Sequence, residues 1–155
     1  VPVYVHKYWE KPVKHIGDSI PSKHKIVIEK GRLLNEIAEG ILYITNAYMS
    51  PDYGGIYEHA CYIRTKNAYI LLCGCSHPGL NMFLNDRESL RIPFNAPLHL
   101  IGGFHGFEFD NETASKMTSQ IQSVIVCHCT KNINIYKKQF GEKCTIGTLG
   151  KTISF

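Results

Sequence analysis

Three short segments place imidazoles and thiols beside glycine or at the end of an apolar run. They are Leu72-Cys73-Gly74-Cys75-Ser76-His77-Pro78-Gly79, Leu100-Ile101-Gly102-Gly103-Phe104-His105-Gly106 and Val126-Cys127-His128-Cys129-Thr130. Imidazole and thiolate are the natural ligands of Zn²⁺ and related cations, at about 2.0–2.3 Å. One histidine after one strand is more often a hydrogen-bonded structural residue. Three repeats of the pattern point to a shared site, with glycine letting the backbone turn sharply and approach a ligand. Cys73 reads as a core residue. Cys127 and Cys129 would share a strand face opposite to His128, so they are not expected to bind what it binds. A zinc clip made of Cys73, Cys75 and His77 is the rival reading, and it lacks a fourth ligand nearby.

The elements around these segments must bring them together. Lys25–Glu29, Gly40–Thr45, Ala60–Arg64 and Tyr69–Gly74 read as strands, the last two joined at Lys66-Asn67 as an antiparallel pair. Val1–His6 is a further β-type run, Gly17–Pro21 a turn cluster, and Tyr48–Tyr57, rich in Pro, Asp and Gly, a loop. From Pro78 the pattern changes. Helices are expected over Pro78–Leu84, from Asp110 or Asn111 to Gln122, and over Asn132–Phe140. They alternate with strands at Leu98–Gly102, Val124–Cys127, Thr145–Ile146 and Thr152–Phe155. The first half is therefore antiparallel β. The second is an α/β layer in which parallel strands gather their carboxyl ends at one edge, where ligands bind.

Composition limits the alternatives. The chain has 155 residues, is 44% hydrophobic, and carries a formal charge of +4. Its lysines are scattered, so an anionic small molecule suits it better than nucleic acid, which would want basic and aromatic residues interleaved on one face; only the short stretch Tyr4–Lys14 has that composition. No apolar run nears the ~18 residues of a membrane span, and the opening residues lead to the expectation of no signal peptide. Six cysteines, two pairs of them spaced too far along a strand to bridge, read as reduced thiols and a cytoplasmic protein.

The ordered set Gly-Cys-Ser-His-Pro-Gly, Gly-Gly-Phe-His and His-Cys-Thr resembles the C-terminal motifs of one branch of the metallo-β-lactamase superfamily, the dihydropteroate synthase-like or ribofuranosylaminobenzene 5′-phosphate synthase-like proteins. The opening Val-Pro-Val-Tyr-Val-His and the closing Leu-Gly-Lys-Thr-Ile fit the same branch, so the resemblance covers essentially residues 1–155. It implies the C-terminal half of an αββα sandwich. It also implies a divalent metal centre, zinc by preference, with iron and manganese as alternatives. His128 matches the superfamily's last histidine ligand. Cys75 stands where a bridging aspartate is usual, with His77 as the alternative ligand, and Glu58 or His59 falls near the remaining histidine position. His105 and Glu58 are the candidate catalytic residues, His105 as general acid or substrate ligand. The superfamily's His-x-His-x-Asp-His motif occurs nowhere among the eight histidines. The expectation is thus a partial domain that needs a complementary N-terminal half or a homo-oligomer, and is inactive alone. With it, the chain would be a metal-dependent hydrolase or transferase of an anionic small molecule such as a phosphate ester or pterin. Without it, the alternative is a non-catalytic module whose histidines are structural.

Overall fold

The computed structural model describes residues 2–8, 20–29, 32–33, 41–50 and 54–155. The turn residues Gly17-Asp18-Ser19 and the part of Tyr4–Lys14 beyond Tyr8 lie outside them. The described strands are β1 (Val3–His6), β2 (Lys25–Ile28), β3 (Arg32–Leu33), β4 (Leu42–Ile44), β5 (Tyr48–Met49), β6 (Tyr57–Glu58), β7 (Cys61–Arg64), β8 (Tyr69–Leu72), β9 (Leu98–Gly102), β10 (Ile121–Val126) and β11 (Cys144–Ile146). The helices are α1 (Leu80–Asn85), α2 (Asn111–Thr118) and α3 (Ile133–Phe140).

One mixed sheet of seven strands runs in the order β11-β10-β9-β8-β7-β4-β3. The contacts β11/β10, β10/β9 and β9/β8 are parallel, and β8/β7, β7/β4 and β4/β3 are antiparallel. Each parallel crossover is a helix, as the sequence alternation requires. Register puts Tyr62, Leu71, Leu100 and Val124 in one row across the sheet. All four are fully buried and join Leu80, Phe83, Tyr136 and Phe140 from the helices in one core.

Several boundaries differ from expectation, each for a local reason. Helix α1 starts at Leu80 because Gly79 takes a φ of 102°, which ends the preceding turn in a non-helical conformation. Helix α2 is capped by the Asp110 carboxylate, which accepts from Thr113 N–H at 2.8 Å. It stops at Thr118, well short of Gln122, because Ile121 pairs with Leu98 and starts β10. Strand β10 ends at Val126, so Cys127 lies outside it. Thr152–Phe155 forms no strand; the Phe155 ring instead meets His99 edge-on at 4.6 Å. The first half is not wholly antiparallel, since β1 and β2 pair in parallel. The stretch expected as loop carries a small antiparallel pair, Tyr48 opposite Glu58 and Met49 opposite Tyr57.

That pair is anchored by a buried carboxylate. Asp86, 5% exposed, accepts from Asn46 N–H at 2.6 Å, from the Asn46 side-chain amide at 2.9 Å and from the Tyr48 hydroxyl. Burial first, and then Asp86, push the Tyr48 phenol up to about 12, so it remains a donor throughout the neutral range. Asp86→Asn keeps one acceptor oxygen and turns the other into a donor facing donors. Urea unfolding of this variant is expected to show a loss of about 2 kcal/mol. An unchanged midpoint and slope would mean that the carboxylate does not hold β5 in place.

Candidate metal centre

The backbone stitches the three turns together beyond the strand ends. Cys73 N–H donates to Ile101 O at 2.9 Å and Gly103 N–H to Gly74 O at 2.8 Å. Cys127 N–H donates to Gly102 O and Lys131 N–H to His105 O, both at 2.8 Å. The Thr130 hydroxyl also accepts from Phe104 N–H at 3.1 Å. The turns after β8, β9 and β10 thus form one platform at the carboxyl edge of the parallel strands. Ser76 and His105 sit on it with positive φ, 56° and 43°, a conformation that non-glycine residues hold only when their surroundings enforce it.

On this platform Cys75 Sγ lies 3.5 Å from His128 Nε2. Cys129 completes a group in which one donor atom from each of the three residues lies within 4.8 Å of the others. Cys129 Sγ also donates to Cys75 O at 3.6 Å. Burial pushes the Cys75 thiol up to about 11, with the Cys129 thiol and the Glu58 carboxylate adding to the shift. A bare thiolate is therefore disfavoured here, and a cation is the partner that would stabilise one.

Cys129 is the residue that strand reasoning missed. Alternation assigned it to the face opposite His128. The strand has already ended at Val126, and Thr130 N–H closes a turn onto Cys127 O at 3.1 Å, so alternation no longer governs where the side chains go. Cys73, by contrast, packs in the core and stands outside the donor group, its thiol pushed up to about 12 by burial.

His77 does not join Cys75 and His128. Its Nδ1 meets Glu58 Oε1, while Glu58 Oε2 accepts from Ser76 N–H at 2.9 Å. The ring of His105 lies 4.7 Å from that of His77, centroid to centroid, at an interplanar angle of 58°. The candidate residues therefore fall into two adjoining groups, Cys75–His128–Cys129 and Glu58–His77–His105.

A cavity of about 310 Å³ opens beside Cys75, lined by Tyr4, His6, Tyr57, Glu58 and His59 among others. His59 Nδ1 is buried there with no hydrogen-bond partner among the described residues. Burial, then the nearby His6, hold the His59 imidazole below its usual range, which keeps it neutral with a lone pair available. Two thiols and an imidazole whose donor atoms lie within 4.8 Å of one another fit a divalent metal ion, and His59, with its orphaned Nδ1, lines the cavity that also reaches Cys75.

No family model matches the chain. The 7,8-dihydropterin-6-methyl-4-(β-D-ribofuranosyl)-aminobenzene-5′-phosphate synthase of Methanocaldococcus jannaschii is 33% identical over 101 residues, which is 60% of this chain and 34% of that protein. A solved structure described as a metal-dependent hydrolase of the β-lactamase superfamily superposes with a TM-score of 0.59 at 18% identity, covering 86% of this chain and 60% of that one. The fold is a metallo-β-lactamase fold. The chain spans about a third of the length of the synthase and three fifths of that of the hydrolase. Within the metallo-β-lactamase fold, the mixed sheet with helices on its core face delivers the three turns to one edge. No helix among the described residues is long and apolar enough to cross a membrane.

Proposed function

We propose that this chain carries part of the active centre of a metal-dependent hydrolase or transferase of the metallo-β-lactamase superfamily, acting on an anionic small molecule such as a phosphate ester or pterin. The observation that carries this reading is the convergence of Cys75, His128 and Cys129 beside Glu58, His77 and His105 on one sheet edge. The metal-dependent hydrolase of like fold and the distant synthase relative support it. Cys75, His128 and Cys129 would hold a divalent cation, with His59 as a further donor across the cavity. Two thiolates favour zinc or iron over manganese. The bound cation would supply Lewis acidity toward a phosphoryl or carbonyl oxygen.

The second group handles protons. Glu58 would accept the Nδ1 proton of His77 and so leave Nε2 as the ring's acceptor atom. The same carboxylate fixes the Ser76 amide, which keeps the dyad in one orientation. His105, its ring tilted against that of His77, delivers a proton to the leaving group. A complementary segment outside these residues supplies the superfamily's remaining histidines, and full activity requires it.

Elemental analysis of the reduced chain, followed by assay of phosphate-ester turnover with the complementary half supplied in trans, tests the reading. Stoichiometric zinc or iron is expected. Activity is expected to fall at least ~100-fold in His105→Ala, with metal content unchanged. A chain that retains no metal after mild purification, or a His105→Ala variant as fast as wild type, would remove the proposal.

A further inference from the structure

Cys75 and Cys129 come from turns 54 residues apart, yet the Cys129 thiol reaches the Cys75 carbonyl at 3.6 Å. The Gly103 N–H to Gly74 O bond joins the turns after β8 and β9. Gly103 itself makes room for the second thiol: a Cβ there would stand 2.0 Å from Cys129 Sγ and 3.3 Å from Cys75 Cα. The sulfur of Cys129 therefore occupies the space of the missing side chain, directly over Cys75. Both residues are partly exposed, whereas Cys73 and Cys144 are buried and Cys127 Sγ turns toward Ile125 O at 3.9 Å. The two sulfurs lie within 4.8 Å, and side-chain rotation is what separates that spacing from a bond of ~2.05 Å.

We infer that Cys75 and Cys129 form a reversible disulfide, and that the disulfide and the bound cation are mutually exclusive states of the same two sulfurs. The exclusivity rests on the metal reading above; the disulfide does not. The oxidant is a small-molecule disulfide of the glutathione class. One protein thiol, losing its proton, attacks a glutathione sulfur and forms a mixed disulfide, and the first glutathione leaves as a thiolate that takes up that proton. The second protein thiol then attacks the protein sulfur of the mixed disulfide. The Cys75–Cys129 bond forms, the mixed disulfide breaks, and the second glutathione leaves carrying the second proton. Both protein thiols are oxidised, and one glutathione disulfide is reduced to two thiols. Oxidation would thus remove two of the three donors and shut the centre without touching the core.

The full chain, stripped of metal, would be equilibrated in glutathione buffers of graded ratio, quenched by alkylation and mapped by mass spectrometry, with zinc titrated in parallel into the reduced and oxidised forms. The expected result is a peptide pair linked through Cys75 and Cys129, absent from both Cys75→Ser and Cys129→Ser. The oxidised form should bind zinc at least ~100-fold more weakly than the reduced form, and zinc-loaded protein should resist oxidation. Glutathione adducts that never resolve to the linked pair would overturn the disulfide. Equal zinc affinity of the two forms would overturn the exclusivity. If the reduced chain binds no zinc, the metal reading fails and the exclusivity with it, while a linked pair in that same protein would still support the disulfide.

Discussion

Zinc affinity of Cys75→Ala is expected to fall more than ~100-fold below wild type, and that of His128→Ala by a similar factor. Losing an outer-shell partner alone typically costs ~10–100-fold, and a direct donor costs more. The two atoms face each other at 3.5 Å with no side chain between them, from turns whose backbones are bonded together. Cys129→Ala should lose affinity as well, because its sulfur belongs to the same group. Cys73→Ala is the matched control. That thiol lies in the core, outside the donor group, so the substitution should cost stability and leave affinity within a few-fold. His77→Ala separates the two readings of the Gly-Cys-Ser-His segment. Its Nδ1 is engaged by Glu58 and its ring by His105, so it should lower turnover without lowering affinity. Competition with a chromophoric chelator gives the affinities, and the thiolate-to-metal band of the cobalt form reports how many sulfurs bind. A cobalt spectrum unaltered by Cys75→Ala would end the assignment.

The site was half legible in the sequence. Apolar runs at Tyr69–Leu72 and Leu98–Gly102 mark strands unambiguously, and helices between them force parallel pairing, so the turns that follow must share an edge. That reasoning needs only local pattern and topology. Cys129 was lost because its place depends on where β10 stops. The hydrogen bonds of the Cys127–Thr130 turn decide that point, and hydrophobic alternation does not reveal it. Glu58 has the opposite history. It directly follows Tyr48–Tyr57, which is rich in turn formers and reads as loop, yet pairing of Tyr57–Glu58 with Tyr48–Met49, held by Asp86 from another part of the chain, aims the carboxylate at His77. Contacts across such separations leave no periodic trace. Among the described residues, β1 and β2 pack on the Leu42–Ile44 end of the sheet's second face through Ile28 and Tyr4, and Leu72 is 44% exposed beside Ile101. An αββα sandwich buries that face against a second sheet.

Gly102→Ala and Gly103→Ala, adjacent and chemically identical changes, are expected to fail in different ways. Gly102 has a φ of 147°, and a Cβ there would stand 2.4 Å from Cys73 O, a backbone atom held in the continuing ladder. Strained φ costs about 1–2 kcal/mol, and forcing the turns apart adds about 1–3 kcal/mol. A loss of about 4 kcal/mol is therefore expected, large against the ~5–15 kcal/mol of a typical domain. Gly103 carries no such φ. Its Cβ would collide with the Cys129 sulfur at 2.0 Å and approach Gly74 O at 2.8 Å. The sulfur can swing away on its rotatable side chain, and the backbone clash that remains, 2.8 Å to Gly74 O, is shallower than the 2.4 Å to Cys73 O at Gly102. Gly103→Ala should therefore unfold at a denaturant concentration closer to wild type than Gly102→Ala does, yet bind zinc at least ~10-fold more weakly, because the thiol it evicts is one of the three donors. Denaturant midpoints and zinc titrations on both variants read the two effects independently. A Gly103→Ala protein with wild-type zinc affinity would show that the space over Cys75 is not what positions Cys129. Gly102→Ala at wild-type stability would show that the stitched turns are looser than their hydrogen bonds indicate.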